Sequence, residues 1–186
     1  MQIENNILTD SFKRTHSYLR ISLTERCNLR CTYCMPEHGI PLSPRSHLMT
    51  YEEIYQIAST FVRNGVTKIR LTGGEPLVRK NIMQLINNLG NEVGKTLEEL
   101  TITTNGSQLS KMAAELYHAG VRRLNISLDT LNEEKFAAIT RWGKLDQVLS
   151  GLQEAKRVGL KIKVNAVALK GVNDEELADM IIWCGQ

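Results

Sequence analysis

From residue 50 onward the apolar and polar positions switch repeatedly between two periods. Ile54, Ile57, Ala58, Phe61 and Val62 form one helical stripe, opened by a Thr50/Glu53 capping box and stopped at Gly65. Val66–Thr72 then reads as a strand. The unit recurs as a helix near 80–89 ending at Gly90 and a strand over Glu99–Thr104, then as a helix near 110–119 ending at Gly120 and a strand over Arg122–Leu128. Leu145, Val148, Leu149, Leu152, Ala155 and Val158 mark a longer amphipathic helix stopped at Gly159. Lys161–Val167 follows as a strand, and Asn173 with Glu176 predicts the cap of a last helix. With Leu19–Thr24 as the first, five strands alternate with helices. Residues 1–18 read as a polar arm, 19–186 as one core domain, and 37–45 as a loop.

Strict βα alternation implies a parallel sheet, closed as an α/β barrel or open and doubly wound. Either architecture gathers its ligands at the carboxyl ends of the strands. Those ends read Thr24–Cys27, Thr72–Pro76, Thr104–Gly106, Ser127–Thr130 and Asn165–Val167, each supplied with polar groups.

Composition narrows the classes. With 42% hydrophobic and 23% charged residues over 186 positions, the chain matches one globular domain. No apolar run reaches the roughly 20 residues of a membrane span, and the start lacks a basic and then apolar leader. A cytoplasmic protein without membrane partner is expected. Twenty-three basic against 20 acidic residues, net +3 and dispersed, argue against a nucleic-acid partner but would tolerate an anionic small molecule. Of four cysteines, three crowd together and Cys184 lies near the far end beside Ile181, Ile182 and Trp183, where it reads as a small core residue. His16, His38, His47 and His118 share no spacing and are expected on the surface or in loops.

The chemistry concentrates in Cys27-Asn-Leu-Arg-Cys31-Thr-Tyr-Cys34, in the loop after the first strand. Thiolates this close point to a metal. A four-iron cube needs one outer ligand per iron, so three cysteines leave one iron open to a non-protein ligand. The alternative is structural zinc held by the three cysteines and His38. Gly73-Gly74-Glu75-Pro76, after the second strand, allows close backbone approach to a ligand, and its glutamate can accept from an ammonium; taken alone, the stretch is also ordinary turn material. Arg20, Arg70 and Lys163 fall inside predicted strands, where a charge is costly without a partner. An anionic ligand, an ion pair with a carboxylate such as Asp129, or a side chain that snorkels out to water would account for them. Asp129 itself reads as a capping or turn residue.

Together, C-x3-C-x2-C and Gly-Gly-Glu-Pro resemble the radical S-adenosylmethionine superfamily, with Tyr33 as its aromatic before the last cysteine. Asp10-Ser-Phe-x-Arg14, Tyr18–Thr24, Cys31–Pro36, Ile69–Arg79, Thr103–Gly106, Leu124–Asp129 and Lys163–Val167 are similar, over residues 10–182, to the amino-terminal half of the GTP 3′,8-cyclase family of molybdenum-cofactor biosynthesis. The resemblance implies a partial (β/α)6 barrel with five parallel strands and the sixth absent. It implies a [4Fe-4S] cluster on Cys27, Cys31 and Cys34, S-adenosylmethionine contacts from Tyr33, Gly74 and Ser127, and GTP contacts from Arg20, Arg70, Thr103 and Lys163. In the chemistry so implied, an electron from an external donor cleaves S-adenosylmethionine to methionine and a 5′-deoxyadenosyl radical. That radical takes the 3′ hydrogen of GTP, and the ribose carbon closes on C8 of guanine to give 3′,8-cyclo-7,8-dihydro-GTP. The family also carries a second cluster further along its chain. The present polypeptide is therefore expected to be a fragment or truncated form, inactive alone on GTP, with an exposed sheet edge through which copies can pair. Another radical S-adenosylmethionine enzyme, modifying a peptide or small molecule, is the nearest rival reading, and the zinc module a more distant one.

Overall fold

The computed structural model describes residues 8–185. Its centre is one sheet of five parallel strands in chain order, β1 (Tyr18–Ser22), β2 (Lys68–Thr72), β3 (Glu99–Thr104), β4 (Arg123–Ser127) and β5 (Lys161–Asn165), with β1 and β5 at its edges. Between them run α1 (Tyr51–Arg63), α2 (Met83–Gly90), α3 (Leu109–His118), α4 (Glu133–Thr140) and α5 (Leu145–Arg157); α6 (Leu177–Cys184) follows β5. The architecture is the open, five-stranded βα arrangement expected, each strand within two residues of its expected limits.

Alternation along the strands separates two faces. Ile21, Ile69, Leu71, Leu100, Ile102, Leu124 and Ile126 are buried in one core with Ala58, Leu85, Leu116 and Ala155 of the helices. The intervening positions are polar throughout: Arg20, Lys68, Arg70, Thr101, Thr103, Arg123, Asn125, Lys161 and Lys163. Parallel strands enclosed on both sides are usually near-continuous apolar runs, so this alternation reserves the second face for something polar.

The helix caps divide into expected and unexpected. Thr50 and Glu53 form the reciprocal box predicted for α1. Asn173 and Glu176 do not form theirs: a short 3-10 turn over Asp174–Glu176 precedes α6, and the Asn173 side chain is wholly buried in other bonds. Helix α2 ends at Gly90 as expected, with the glycine as its last residue, where a Cβ would collide with the Ala119 carbonyl. Helix α4 is absent from the sequence reading because two apolar side chains, Phe136 and Ile139, are too few for a stripe; Asn132 caps it by accepting from the Lys135 N–H. Cys184 is exposed rather than core, as are Ile181 and Ile182, because no described element covers that side of α6. The four histidines are exposed, as expected. No helix among the described residues is long and apolar enough to cross a membrane.

Candidate cofactor and nucleotide site

The loop from Leu23 to Cys34 is held from two sides. On one side Thr24 accepts the Gly74 N–H at 2.6 Å and the Arg26 carbonyl accepts the Glu75 N–H at 2.8 Å. Cβ atoms on Gly73 or Gly74 would strike the Thr24 and Arg26 carbonyls, and Gly73 has φ +149°. The glycines are therefore required first by loop-to-loop contact, whatever ligand they also admit. On the other side the end of α4 offers its free carbonyls: Thr140 accepts from Arg30 N–H and Ile139 from Thr32 N–H, at 3.0 and 2.9 Å. Arg141, at φ +60°, donates to the carbonyls of Arg30 and Met35. The Arg30 guanidinium donates back to the carbonyls of Cys27 and Leu29 and lies 4.2 Å over the Trp142 ring.

This frame presents three free thiols, Cys27 and Cys31 half-buried and Cys34 exposed. Cys31 accepts through its carbonyl from the N–H groups of Cys34 and Met35, closing the turn, and the Leu29 N–H points at Cys27 Sγ at 3.4 Å. Burial, then the charge of Asp129, pushes the Cys31 thiol up to about 11, and burial raises Cys27 as well. A metal that binds here must displace those protons. Among the described residues no three Cys, His, Asp or Glu side chains converge as a single ion requires, which leaves the Cys3His set with His38 without geometric support. A four-iron cube makes the different demand of one thiolate per iron, which three thiols on one turn can meet, with an N–H to sulfur already in place.

Register places the other candidates. Arg20, Arg70, Thr101, Arg123 and Lys161 form one row across the sheet, and Thr103, Asn125 and Lys163 lie in the row above. Ser127 and Asn165 pair one row higher still, beside the loops. At about 3.3 Å per residue, two rows separate Ser127 from the level of Arg70 by roughly 13 Å. Tyr33, Gly74 and Ser127 thus belong to the loop end of the sheet, and Arg20, Arg70, Thr103 and Lys163 to its polar face below.

The expected cost of charges within strands does not apply to Arg20 and Lys163, which are exposed on the edge strands. Of the alternatives, reaching out to water is what Arg20 and Lys163 do, and the ion pair does not form: neither of these two nor Arg70 has a carboxylate within 4 Å among the described residues, whereas Arg123 pairs with Glu99 at 3.0 Å. Arg70 is half-buried. With the Asn125 amide oxygen turned toward it, both terminal nitrogens donate at 2.9 Å, while its Nε is buried without a partner.

Two residues depart from their sequence reading. Glu75 was expected to accept from a ligand ammonium. It is 1% exposed, and its oxygens accept instead from Leu77 N–H, Thr104 Oγ1 and Asn105 N–H. Burial raises its pKa. Asp129, given only a turn role, accepts from the Tyr33 hydroxyl 96 positions away. No local pattern announces a contact of that range.

The family profile described as "Radical SAM superfamily" matches residues 21–184. The chain belongs to that superfamily, a class whose cofactors are a [4Fe-4S] cluster and S-adenosylmethionine. Within it, the chain is 56% identical over 174 residues to the GTP 3′,8-cyclase of Rhizobium etli strain CIAT 652, covering 94% of this chain and 50% of that one. It is likewise 56% identical over 180 residues to the GTP 3′,8-cyclase of Agrobacterium fabrum, covering 96% and 51%. The chain spans about half the length of these curated relatives. Among solved structures, Streptococcus suis SuiB bound to S-adenosylmethionine superposes with a TM-score of 0.71 at 22% identity, over 90% of this chain and 37% of that one. This likeness bears on the fold alone.

Proposed function

We propose that the chain is the cofactor- and triphosphate-binding part of a GTP 3′,8-cyclase. The observation that carries this reading is the placement of a three-thiol turn at the end of a parallel sheet whose polar face holds Arg20, Arg70 and Lys163 without carboxylate partners among the described residues, in a chain 56% identical to enzymes of that name. When bound, the cluster and S-adenosylmethionine supply a 5′-deoxyadenosyl radical that removes the 3′ hydrogen of GTP.

The chain's own residues bind and orient. Cys27, Cys31 and Cys34 would hold the cluster, with one iron left for S-adenosylmethionine, and Tyr33, Gly74 and Ser127 would contact that cofactor. Arg20, Arg70 and Lys163 neutralise the triphosphate, for which planar, charge-assisted donors are suited, and Thr103 adds a hydroxyl. On this reading the two sets of residues, at different levels of the sheet, would bring cofactor and nucleotide together along the strand direction. The electron comes from an external donor.

The test is anaerobic reconstitution followed by iron and sulfide analysis. Cys27→Ala, Cys31→Ala and Cys34→Ala should each abolish the cluster, and Cys184→Ala should retain it. Full iron in any of the first three, or total loss in the Cys184 variant, would overturn the assignment.

A further inference from the structure

Asp129 lies two residues beyond Ser127 at the carboxyl end of β4 and is 5% exposed. Its two oxygens serve separate partners. Oδ2 accepts from the Tyr33 hydroxyl at 2.6 Å, and Oδ1 from the Val167 N–H at 2.8 Å. Its own carbonyl accepts from Asn173 Nδ2, which also donates to the Val167 carbonyl, while Asn173 Oδ1 accepts from the Leu169 N–H. Three segments therefore meet at one buried carboxylate: the cysteine turn, the end of β4, and the loop that leaves the strand of Lys163. Among the described residues no cation lies within 4 Å of Asp129 in an ion pair, so its hydrogen bonds are what keep it in the interior.

A turn-capping role explains the bond to Val167 but not the bond to Tyr33. Tyr33 is next to Cys34, and the residue is 43% exposed. Its hydroxyl proton is committed to Asp129, which leaves the ring itself as the part of Tyr33 free to pack on a planar ligand. We infer that Asp129 is a positioning residue of the cofactor site: it fixes the Tyr33 ring against the adenine of S-adenosylmethionine and ties that placement to the loop following β5. This rests on the cofactor reading above and goes beyond it by assigning how Tyr33 is held.

The whole chain, anaerobically reconstituted, is compared with Tyr33→Phe, Asp129→Asn and the double variant. Iron per chain is measured, and S-adenosylmethionine affinity is read from the change the cofactor makes in the electron paramagnetic resonance spectrum of the reduced cluster. Iron should stay near wild type in all three, and affinity should fall about 5- to 20-fold in each single variant. The double variant should be no weaker than Asp129→Asn alone, because both changes remove the same charge-assisted bond from the Tyr33 hydroxyl to a carboxylate. Tyr33→Phe deletes only a hydroxyl on an exposed residue, so it reports even if Asp129→Asn folds poorly. Affinities within twofold of wild type, losses that multiply in the double variant, or iron lost in parallel with affinity would each overturn the inference. A wild-type chain that takes up no iron, or does not respond to S-adenosylmethionine, would overturn the cofactor reading along with it.

Discussion

Glu75 sits in a loop at the ligand end of the sheet yet spends both oxygens on its own chain, bracing the turn after β3 against the turn after β2. Replacing it by Gln sets an amide nitrogen against N–H or hydroxyl donors and should cost about 1–3 kcal/mol. Burial raises the carboxyl's pKa in the folded chain, so the folded state keeps its proton to higher pH than the unfolded one. Wild-type stability should then decline, relative to Glu75→Gln, as pH rises from about 4.3 through the raised folded value. Urea unfolding of both proteins at several pH values between 4 and 7.5 checks the sign; a gap that widens with pH would mean the accepted hydrogen bonds outweigh burial. That inward use was not legible in Gly-Gly-Glu-Pro, because four residues do not reveal which way a side chain turns when its partners lie about thirty positions away.

At the scale of elements, the cysteine turn depends on a helix that periodicity did not reveal. The end of α4 supplies two carbonyls and Arg141 to the turn, an antiparallel exchange of donors that holds residues 30–35. Arg141→Gly keeps the backbone free to adopt φ +60° while removing the guanidinium. Because Arg141 is exposed, stability should change by no more than about 1 kcal/mol. Iron release to a chelator should nevertheless be several-fold faster than from wild type. Arg141→Ala should show the same release and be roughly 1 kcal/mol less stable than Arg141→Gly, because Ala, like the wild-type Arg, keeps a Cβ at the strained φ. Equal release rates in all three proteins would show that the clamp is irrelevant to the metal.

For the molecule as a whole, the residues proposed for the cofactor and those proposed for the nucleotide occupy different levels of one sheet, so on that proposal changes at one level should leave the other intact. Arg20→Ala and Arg70→Ala each remove a charge-assisted contact worth about 1.5–3 kcal/mol, which corresponds to roughly a 10- to 150-fold rise in the dissociation constant for GTP. Iron content should be unchanged. Anaerobic equilibrium dialysis with GTP, alongside iron analysis, reads both quantities. Unaltered GTP affinity in both variants, or loss of iron in both, would mean these side chains support the sheet rather than the substrate.

What the sequence by itself determined is what depends on local spacing. The βα rhythm named a parallel sheet, C-x3-C-x2-C named the thiol turn, and Thr50/Glu53 named a helix start, because each signal lies within a few residues of its consequence. The charges of Arg20, Arg70 and Lys163 within strands were legible as well, but that they share one polar face with Asn125 comes from the register of the sheet. Only the tertiary structure decided which polar groups face a ligand and which face the protein. Glu75 and Asp129 are both acids at strand ends, alike in the sequence. Both are turned inward by donors far along the chain, and Arg20 and Lys163 escape the cost of burial because their strands are edges. Such choices follow from satisfying every buried donor and acceptor at once, a condition that exists only after the segments have met.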